Sequence, residues 1–146
     1  MGLFDMFGKG GGDLTIERSS TDLEVKQVAR GTAVFAGGKR EQKIEGLQVW
    51  FVRENEGGTD DILGMSGPKK IPLSDVIKPG DVKRYDFEIE VPNYSTHTLN
   101  AAAAKEAFGI RASLDIPKEL DPSAKLPVKL RGGIVAEITT SGPKGT

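Results

Sequence analysis

The sequence predicts an all-β protein, an antiparallel β-sandwich, from three observations. Apolar and polar residues alternate with a period of two along most of the chain, as in strands with one buried face. Turn signals rich in glycine and proline separate these alternating segments at short intervals. The alternating segments number roughly seven or eight, which at this spacing is typical of a sandwich. Only the alanine-rich residues 99–107 favour a helix, so we expect one short helix there.

The clearest strand predictions come from two segments with unbroken alternation. In the first, every second residue is apolar and charged residues lie between: Tyr85, Phe87, Ile89 and Val91. The second segment repeats this pattern from Phe108 to Ile116. Shorter alternating runs predict further strands near residues 14–16, 23–25, 126–130 and 134–138. The apolar faces of these strands would form the core.

Residues 31–52 predict two strands joined by a reversal of the chain. A short strand runs into Gly37-Gly38, and a long strand that ends at Val52 follows a charged turn. Both glycines can adopt φ > 0 without strain, so we expect a β-hairpin at this point.

The long strand of this pair carries an irregularity. Its alternation slips by one residue between Ile44 and Leu47, and Gly46 lies at the slip, which predicts a β-bulge. Beyond the slip both faces are apolar, because Leu47, Val49 and Phe51 lie on one face and Trp50 and Val52 on the other. A strand that is apolar on both faces is expected at the centre of its sheet.

The pattern divides the chain into three parts. Residues 1–12 form an apolar N-terminal segment with a glycine linker, residues 13–138 form the sandwich, and residues 139–146 form a flexible tail. Within the sandwich, residues 55–81 have weak periodicity. They are expected to form a long loop with a short strand near residues 71–73.

The composition excludes several classes of function. Twenty basic and 21 acidic residues leave a net charge of −1, so we expect no nucleic acid partner. The chain contains no cysteine, which excludes disulfides, thiolate nucleophiles and thiolate metal ligands. No apolar run approaches the ~20 residues that span a bilayer, and we expect a cytoplasmic protein. No motif indicates a cofactor.

The N-terminal segment is the first candidate binding site. Four apolar side chains precede a run of glycines: Leu3, Phe4, Met6 and Phe7. Exposed apolar groups on a glycine tether are typical of a docking element. Three occupants remain open, namely this chain itself through fold-back or self-association, a protein partner, or the interface of a membrane.

The second candidate binding site is a basic turn formed by Lys39, Arg40 and Lys43. Its cations could contact phosphates or an acidic partner. Acidic residues are interspersed and no aromatic platform surrounds the turn, which favours a solvated loop tip.

Candidate catalytic and metal-binding residues are weak. His97 is the single histidine and lies in a Ser/Thr-rich turn with no nucleophile motif near it. The Asp60-Asp61 pair lacks the alternating oxygen ligands of a calcium loop, so we expect a solvated loop. Asp115 and Asp121 could meet as paired carboxylates, but exposure on the polar face is favoured. We therefore predict no catalytic or metal site.

The segment from Gly31 to Ile44 resembles the bacterial sporulation-control proteins, which have an arrestin-like fold. The matching residues are Gly31, Ala33, Phe35, Gly37, Gly38, Gln42 and Ile44. Val91-Pro92 and the strand from Phe108 to Ile116 are similar to a second part of that pattern, and the resemblance covers about residues 13–138. Members of the family typically have two such domains, whereas this chain has room for one.

The resemblance implies an arrestin-like, immunoglobulin-like sandwich and a non-enzymatic regulator or scaffold linked to sporulation or stress. We expect it to bind protein partners through an edge strand or the N-terminal segment, and these same surfaces could form a homo-oligomer. The alternative is a peripheral membrane or envelope-stress protein that uses residues 1–9 as a weak interfacial anchor.

Overall fold

The computed structural model describes residues 12–54, 59–64, 67–96 and 107–135. Over these ranges the secondary structure is entirely β: β1 (Asp13–Ser19), β2 (Asp22–Glu24), β3 (Val28–Ala36), β4 (Gln42–Glu54), β5 (Asp60–Ile62), β6 (Lys69–Ile77), β7 (Val82–Glu90), β8 (Ser95–Thr96), β9 (Ala107–Asp115), β10 (Ser123–Arg131) and β11 (Ile134–Val135). The all-β class predicted from the sequence is confirmed.

Two larger sheets share one hydrophobic core. The first sheet has the order β1-β3-β7, and the second has the order β2-β10-β9-β4-β5, with β6 also paired to β4. Buried residues from both sheets form a single cluster, whose largest members include Phe35, Phe51, Ile110 and Leu114. The apolar faces predicted from the alternation are therefore the faces that meet.

The pairing is mixed rather than purely antiparallel. β2 runs parallel to β10, and β11 runs parallel to β8 in a small separate sheet. All other strand pairs are antiparallel. Alternation indicates which face of a strand is buried but not the direction of the neighbouring strand. The sequence therefore could not show that these two pairs are parallel.

The prediction of a central long strand is confirmed for β4. One edge of β4 pairs with β9, and its other edge pairs first with β6 and then with β5. The register between β4 and β6 shifts between Ile44 and Gly46, where a bulge was predicted. Leu47, Val49 and Phe51 are buried on the inner face, and Val52 is buried on the outer face.

The predicted hairpin at Gly37-Gly38 is wrong. β3 pairs with β1 and β7, whereas β4 belongs to the other sheet. Residues 37–41 therefore carry the chain across the core from one sheet to the other. Neither glycine has the positive φ that the hairpin would require.

The predicted long loop over residues 55–81 is also wrong where the structure describes it. It contains β5 and the nine-residue β6, which extends well beyond the short strand expected near residues 71–73. A tight turn follows β6, since the Asp81 N–H donates to the Lys78 carbonyl (3.0 Å) and Gly80 has a φ of 86°.

Some predictions fall on residues that the structure does not describe. The helix expected near residues 99–107 lies outside the described ranges except for Ala107, which begins β9 instead. The N-terminal segment up to residue 11 and the predicted tail over residues 139–146 also lie outside them.

Candidate functional site

The predicted site residues divide into two groups. Leu3, Phe4, Met6 and Phe7 lie outside the described residues, as does His97. Lys39, Arg40 and Lys43 lie in the segment between β3 and β4 and at the start of β4, and all three are exposed.

The basic turn carries its own counter-charges. Arg40 Nη2 lies 3.5 Å from Glu119 Oε2, and Lys43 Nζ lies 3.5 Å from Glu45 Oε2. Lys39 also has an interaction partner. The pair of Lys43 with Glu45 is exposed and contributes little stability, whereas Glu119 is largely buried. Both pairs reduce the net charge that an acidic partner would meet. Nothing in this geometry singles the turn out as a binding site.

Gln42 fixes the crossing from β3 to β4. Its side chain is 2% exposed, so its amide needs hydrogen-bond partners inside the protein. The Gly38 N–H donates to Gln42 Oε1 (3.3 Å), and Gln42 Nε2 donates to Glu119 Oε1 (2.9 Å). The amide therefore ties the crossing segment to the loop between β9 and β10.

Gly37 serves the same crossing by allowing close backbone approach. Its N–H donates to the Asp81 carbonyl (2.8 Å), and a Cβ at this position would lie 2.7 Å from the Lys78 carbonyl oxygen. Only glycine fits against the turn between β6 and β7 at this distance. Gly37, Gly38 and Gln42 are thus structural residues of the fold.

Asp60 lies in an ion network that sequence reasoning missed. It was predicted to lie in a solvated loop, but it lies in β5 and its side chain is only 12% exposed. Its carboxylate accepts from Arg111 Nε (2.6 Å) and Lys125 Nζ (3.1 Å). Burial raises the pKa of Asp60, but these two donors outweigh it and leave the pKa below its usual value.

The network depends on Gly109, which lies between β10 and β4 on β9. A Cβ at Gly109 would lie 3.0 Å from Cε of Lys125, so the lysine side chain crosses β9 directly above this glycine. Sequence spacing could not indicate these contacts, because Asp60 and Lys125 are brought together only by the strand order. Lys125 Nζ also lies 3.7 Å from Glu54 Oε1, so two carboxylates balance the two cations and the network has a structural role.

The edge of β7 is the feature of the fold best suited to binding. β7 pairs with β3 over nine consecutive residues without a register shift, and no strand of the described residues pairs with its other edge. Val91 directs its N–H toward Gln27, on the β3 side. Because backbone groups alternate in direction along a strand, the N–H and C=O groups of Arg84, Asp86 and Glu88 point to the open edge.

Side chains of β6 partly line this edge. Lys69 Nζ donates to the Glu88 carbonyl (2.5 Å), and Tyr85 donates through its hydroxyl to Asp75 Oδ2 (2.9 Å). Between these contacts lies an open groove of about 690 Å³, lined in part by Ile71, Phe87 and Glu88. The groove exposes an apolar floor beside an unpaired strand.

Asp75 also has a cation nearby, because Lys83 Nζ lies 3.6 Å from Asp75 Oδ1. The hydrogen bond from Tyr85 is the main reason why the pKa of Asp75 lies below its usual value, and Lys83 lowers it further against partial burial. Burial, followed by the bond to Asp75, raises the pKa of Tyr85. Tyr85 therefore remains protonated and holds β6 against β7.

The other described edges are blunted in the ways that natural sheets use against unwanted pairing. β1 has a register irregularity between Ile16 and Arg18, and β2 and β5 have three residues each. β6 carries Pro72 and the register shift. Among the described strands, β7 combines length, regularity and a free edge.

Two kinds of site are not found in the part of the chain that the structure describes. No group of three or more histidine, aspartate or glutamate side chains there is placed to hold a metal ion. No helix there has the length and apolarity needed to cross a membrane.

Comparison with known families identifies this fold. The family described as SpoOM protein matches residues 2–135, which is nearly the whole chain. The chain belongs to the SpoOM protein family. The family resemblance is confirmed. Three of the residues that carry it, Gly37, Gly38 and Gln42, hold the crossing between the sheets.

Solved structures agree at the level of the fold. The chain is similar to the sporulation control protein Spo0M from Bacillus subtilis, with a TM-score of 0.57 and 19% identity over 83% of this chain and 50% of that one. The SpoOM chain described here thus spans about half the length of that protein.

A more distant similarity is to the CARDB domain of the PF1109 protein from Pyrococcus furiosus, solved in complex with di-metal ions. Its TM-score is 0.47, with 14% identity over 82% of this chain and 86% of that one, and no functional conclusion follows from it. None of the curated proteins matches this SpoOM chain in sequence.

Proposed function

We propose that this SpoOM family protein is a non-enzymatic, cytoplasmic regulator or scaffold with an arrestin-like sandwich that acts by binding proteins. Membership of the family supports a regulatory role, because the similar Bacillus subtilis protein is described as a sporulation control protein. The open edge of β7 carries the proposal for how it binds.

Strand addition is the binding mode that this edge supports. An extended segment that joins β7 would bond to the outward backbone groups of Arg84, Asp86 and Glu88, and its alternate side chains would enter the groove beside Ile71 and Phe87. Backbone bonds would supply affinity, and the groove would supply specificity.

The N-terminal residues Leu3, Phe4, Met6 and Phe7 provide a second contact in this proposal. Burial of such side chains contributes about 1.5–3 kcal/mol each before ordering costs, which suits reversible binding. The alternative for this segment is the membrane interface, which would make the protein peripheral to the membrane.

A capture experiment with three forms of the protein tests the proposal. The forms are the full chain, the chain without residues 1–12, and Asp86→Pro. Because the Asp86 N–H points to the open edge, proline removes a donor from the binding surface and none from the ladder with β3. Asp86→Asn is the matched control, since it removes the charge and keeps the N–H.

We expect a protein from the cytosol to bind the full chain and Asp86→Asn but not Asp86→Pro, with its affinity then measured on the purified pair. Equal capture by Asp86→Pro would exclude strand addition at β7. If the full chain binds lipid and the chain without residues 1–12 does not, while both capture the same protein, the membrane alternative is favoured for that segment.

A further inference from the structure

We infer that the open edge of β7 binds a second copy of this chain, with the two β7 strands antiparallel and Tyr85 on the two-fold axis. The inference rests on the proposed binding function of this edge and specifies its occupant. A closed pair of this kind is isologous, because the same strand serves both sides of the interface.

The backbone limits the registers that such a pair can adopt. Only the even-numbered residues of β7 direct their N–H and C=O groups to the open edge, as the contact from Lys69 Nζ to the Glu88 carbonyl also indicates. Hydrogen-bonded pairs across the two-fold must therefore join even to even residues. A shift by one residue would place even residues opposite odd ones, whose backbone groups already face β3, and is therefore excluded.

The charges on the outer face of β7 distinguish the registers whose two-fold axis lies at a residue from Arg84 to Phe87. Along this face the order is Val82, Arg84, Asp86, Glu88 and Glu90. If the two-fold axis passes through Arg84, the two copies of Arg84 face each other. An axis through Asp86 brings two aspartates face to face, and an axis through Phe87 places Asp86 of each copy opposite Glu88 of the other. Each of these places like charges directly opposite one another, which is destabilising.

When the two-fold axis passes through Tyr85, Arg84 of each copy lies opposite Asp86 of the other. Two complementary pairs form at the centre of the interface, and Glu88 of the second copy lies diagonal to the same arginine. At each end of the ladder, Glu88 bonds to Val82 of the second copy, whose N–H replaces Lys69 at the Glu88 carbonyl. Val82 is 54% exposed in the single chain, and this pairing would cover it.

The inner face is compatible with the same register. Tyr85 would face Tyr85 of the second copy, an arrangement that allows an aromatic pair. Lys83 would lie opposite Phe87, whose side chain is buried in the core. The bond from Tyr85 to Asp75 holds the ring at the edge in advance, so little side-chain entropy remains to be lost.

Charge reversal with rescue tests the inference on the full chain. Sedimentation equilibrium measures the dimer Kd for the natural sequence, Arg84→Asp, Asp86→Arg and the doubly reversed protein. Each single reversal opposes like charges twice, so we expect its Kd to rise by about tenfold or more. The double reversal restores opposite charges, and we expect its Kd to return to within a few fold of the natural value.

Two controls separate this interface from effects on folding. Arg131→Asp breaks an exposed pair with Asp22, far from β7 in the sheet order, and should leave the dimer Kd unchanged. Urea unfolding of each variant identifies any loss of stability. Arg84 also contacts Glu17 of its own chain, and the double reversal does not restore that contact. Rescue therefore reports on the contact between copies.

Three outcomes would overturn the inference. They are a monomer at every concentration, single reversals that dimerise as well as the natural chain, or a double reversal that fails to restore the dimer. A monomer whose β7 edge still captures another protein, with loss on Asp86→Pro, would refute the second copy as occupant and leave the proposed function standing. A dimer that the double reversal restores, with no capture of another protein at the β7 edge, would support the second copy as occupant and refute the binding of other proteins at this edge.

Discussion

Gly37 and Gln42 act at the scale of single residues to hold the crossing between the two sheets. The sequence marked both positions but predicted a hairpin, because a glycine pair is compatible with a tight reversal and with close backbone approach alike. Close backbone approach is the reason for the glycine, because a Cβ at position 37 would lie 2.7 Å from the Lys78 carbonyl oxygen. Glu119 accepts a hydrogen bond from the Gln42 amide. No pattern in the sequence could have identified it as the partner of Gln42.

Gly37→Ala is expected to destabilise the protein by about 1–3 kcal/mol, because the new Cβ cannot lie 2.7 Å from a carbonyl oxygen without moving the backbone. Gly46→Ala is the matched control. Its Cβ would lie 3.5 Å from the Ile71 carbonyl oxygen, which is ordinary contact, and it should be neutral or stabilising. Urea unfolding compares the two, and equal midpoints would contradict the assignment.

Gln42→Leu is expected to cost about 1–3 kcal/mol in the free energy of unfolding, since the Gly38 N–H loses its acceptor and Glu119 loses a donor. Gln48→Leu, at a half-buried position of the same strand, should change stability by less than about 0.5 kcal/mol. Thermal unfolding measures both, and a neutral Gln42→Leu would show that the amide does not hold the crossing.

Asp60→Asn is expected to lower stability at neutral pH and to have less effect in acid. The folded pKa of Asp60 is depressed, so its contribution is complete above the unfolded pKa of about 3.9. It is lost as the pH falls through the folded value. Urea unfolding from pH 7 to acid should show the two proteins converge, whereas exposed Asp61→Asn should track the natural chain. A gap that is constant with pH would refute this role.

At the scale of elements, alternation predicted β7 and β9 well because each buries one face, and it predicted the bulge in β4. It failed for β6, whose residues are exposed or half-buried up to Ile77 and whose Pro72 suggested a turn. Proline is tolerated there because β6 is an edge strand, and Pro72 lies opposite Gly46 beside the register shift. Edge strands have weak alternation, and for this reason the sequence analysis missed both β6 and the strands that pair with β4.

Amide hydrogen exchange should show a period of two along β7 in dilute solution. The N–H groups of Phe87 and Ile89 face β3 and should exchange slowly, whereas those of Asp86 and Glu88 face the open edge. Residues 46–49 of β4, paired on both edges, should be protected without alternation. The alternation in β7 should disappear as the protein concentration rises. Uniform protection at a concentration where sedimentation shows only monomer would mean that another segment of the chain covers the edge.

At the scale of the molecule, the sequence predicted an all-β fold with its inner faces and its family, and missed the order of the strands. Local patterns carry no information on which sheet a strand joins. The crossing after β3, the parallel pairing of β2 with β10, and the Asp60 network all depend on contacts between residues far apart in the chain. The candidate binding edge follows from strand order, and so it emerged only from the structure.

The central position of β4 also sets the order in which the protein can be completed during synthesis. β1, β3 and β7 leave the ribosome before β9, so the first sheet can assemble while one edge of β4 still has no partner. β2 waits longer still, because its partner β10 is almost the last described strand. Contacts so distant in sequence slow folding and leave intermediates open to aggregation. A nascent chain arrested before β9 should therefore be the form most dependent on chaperones.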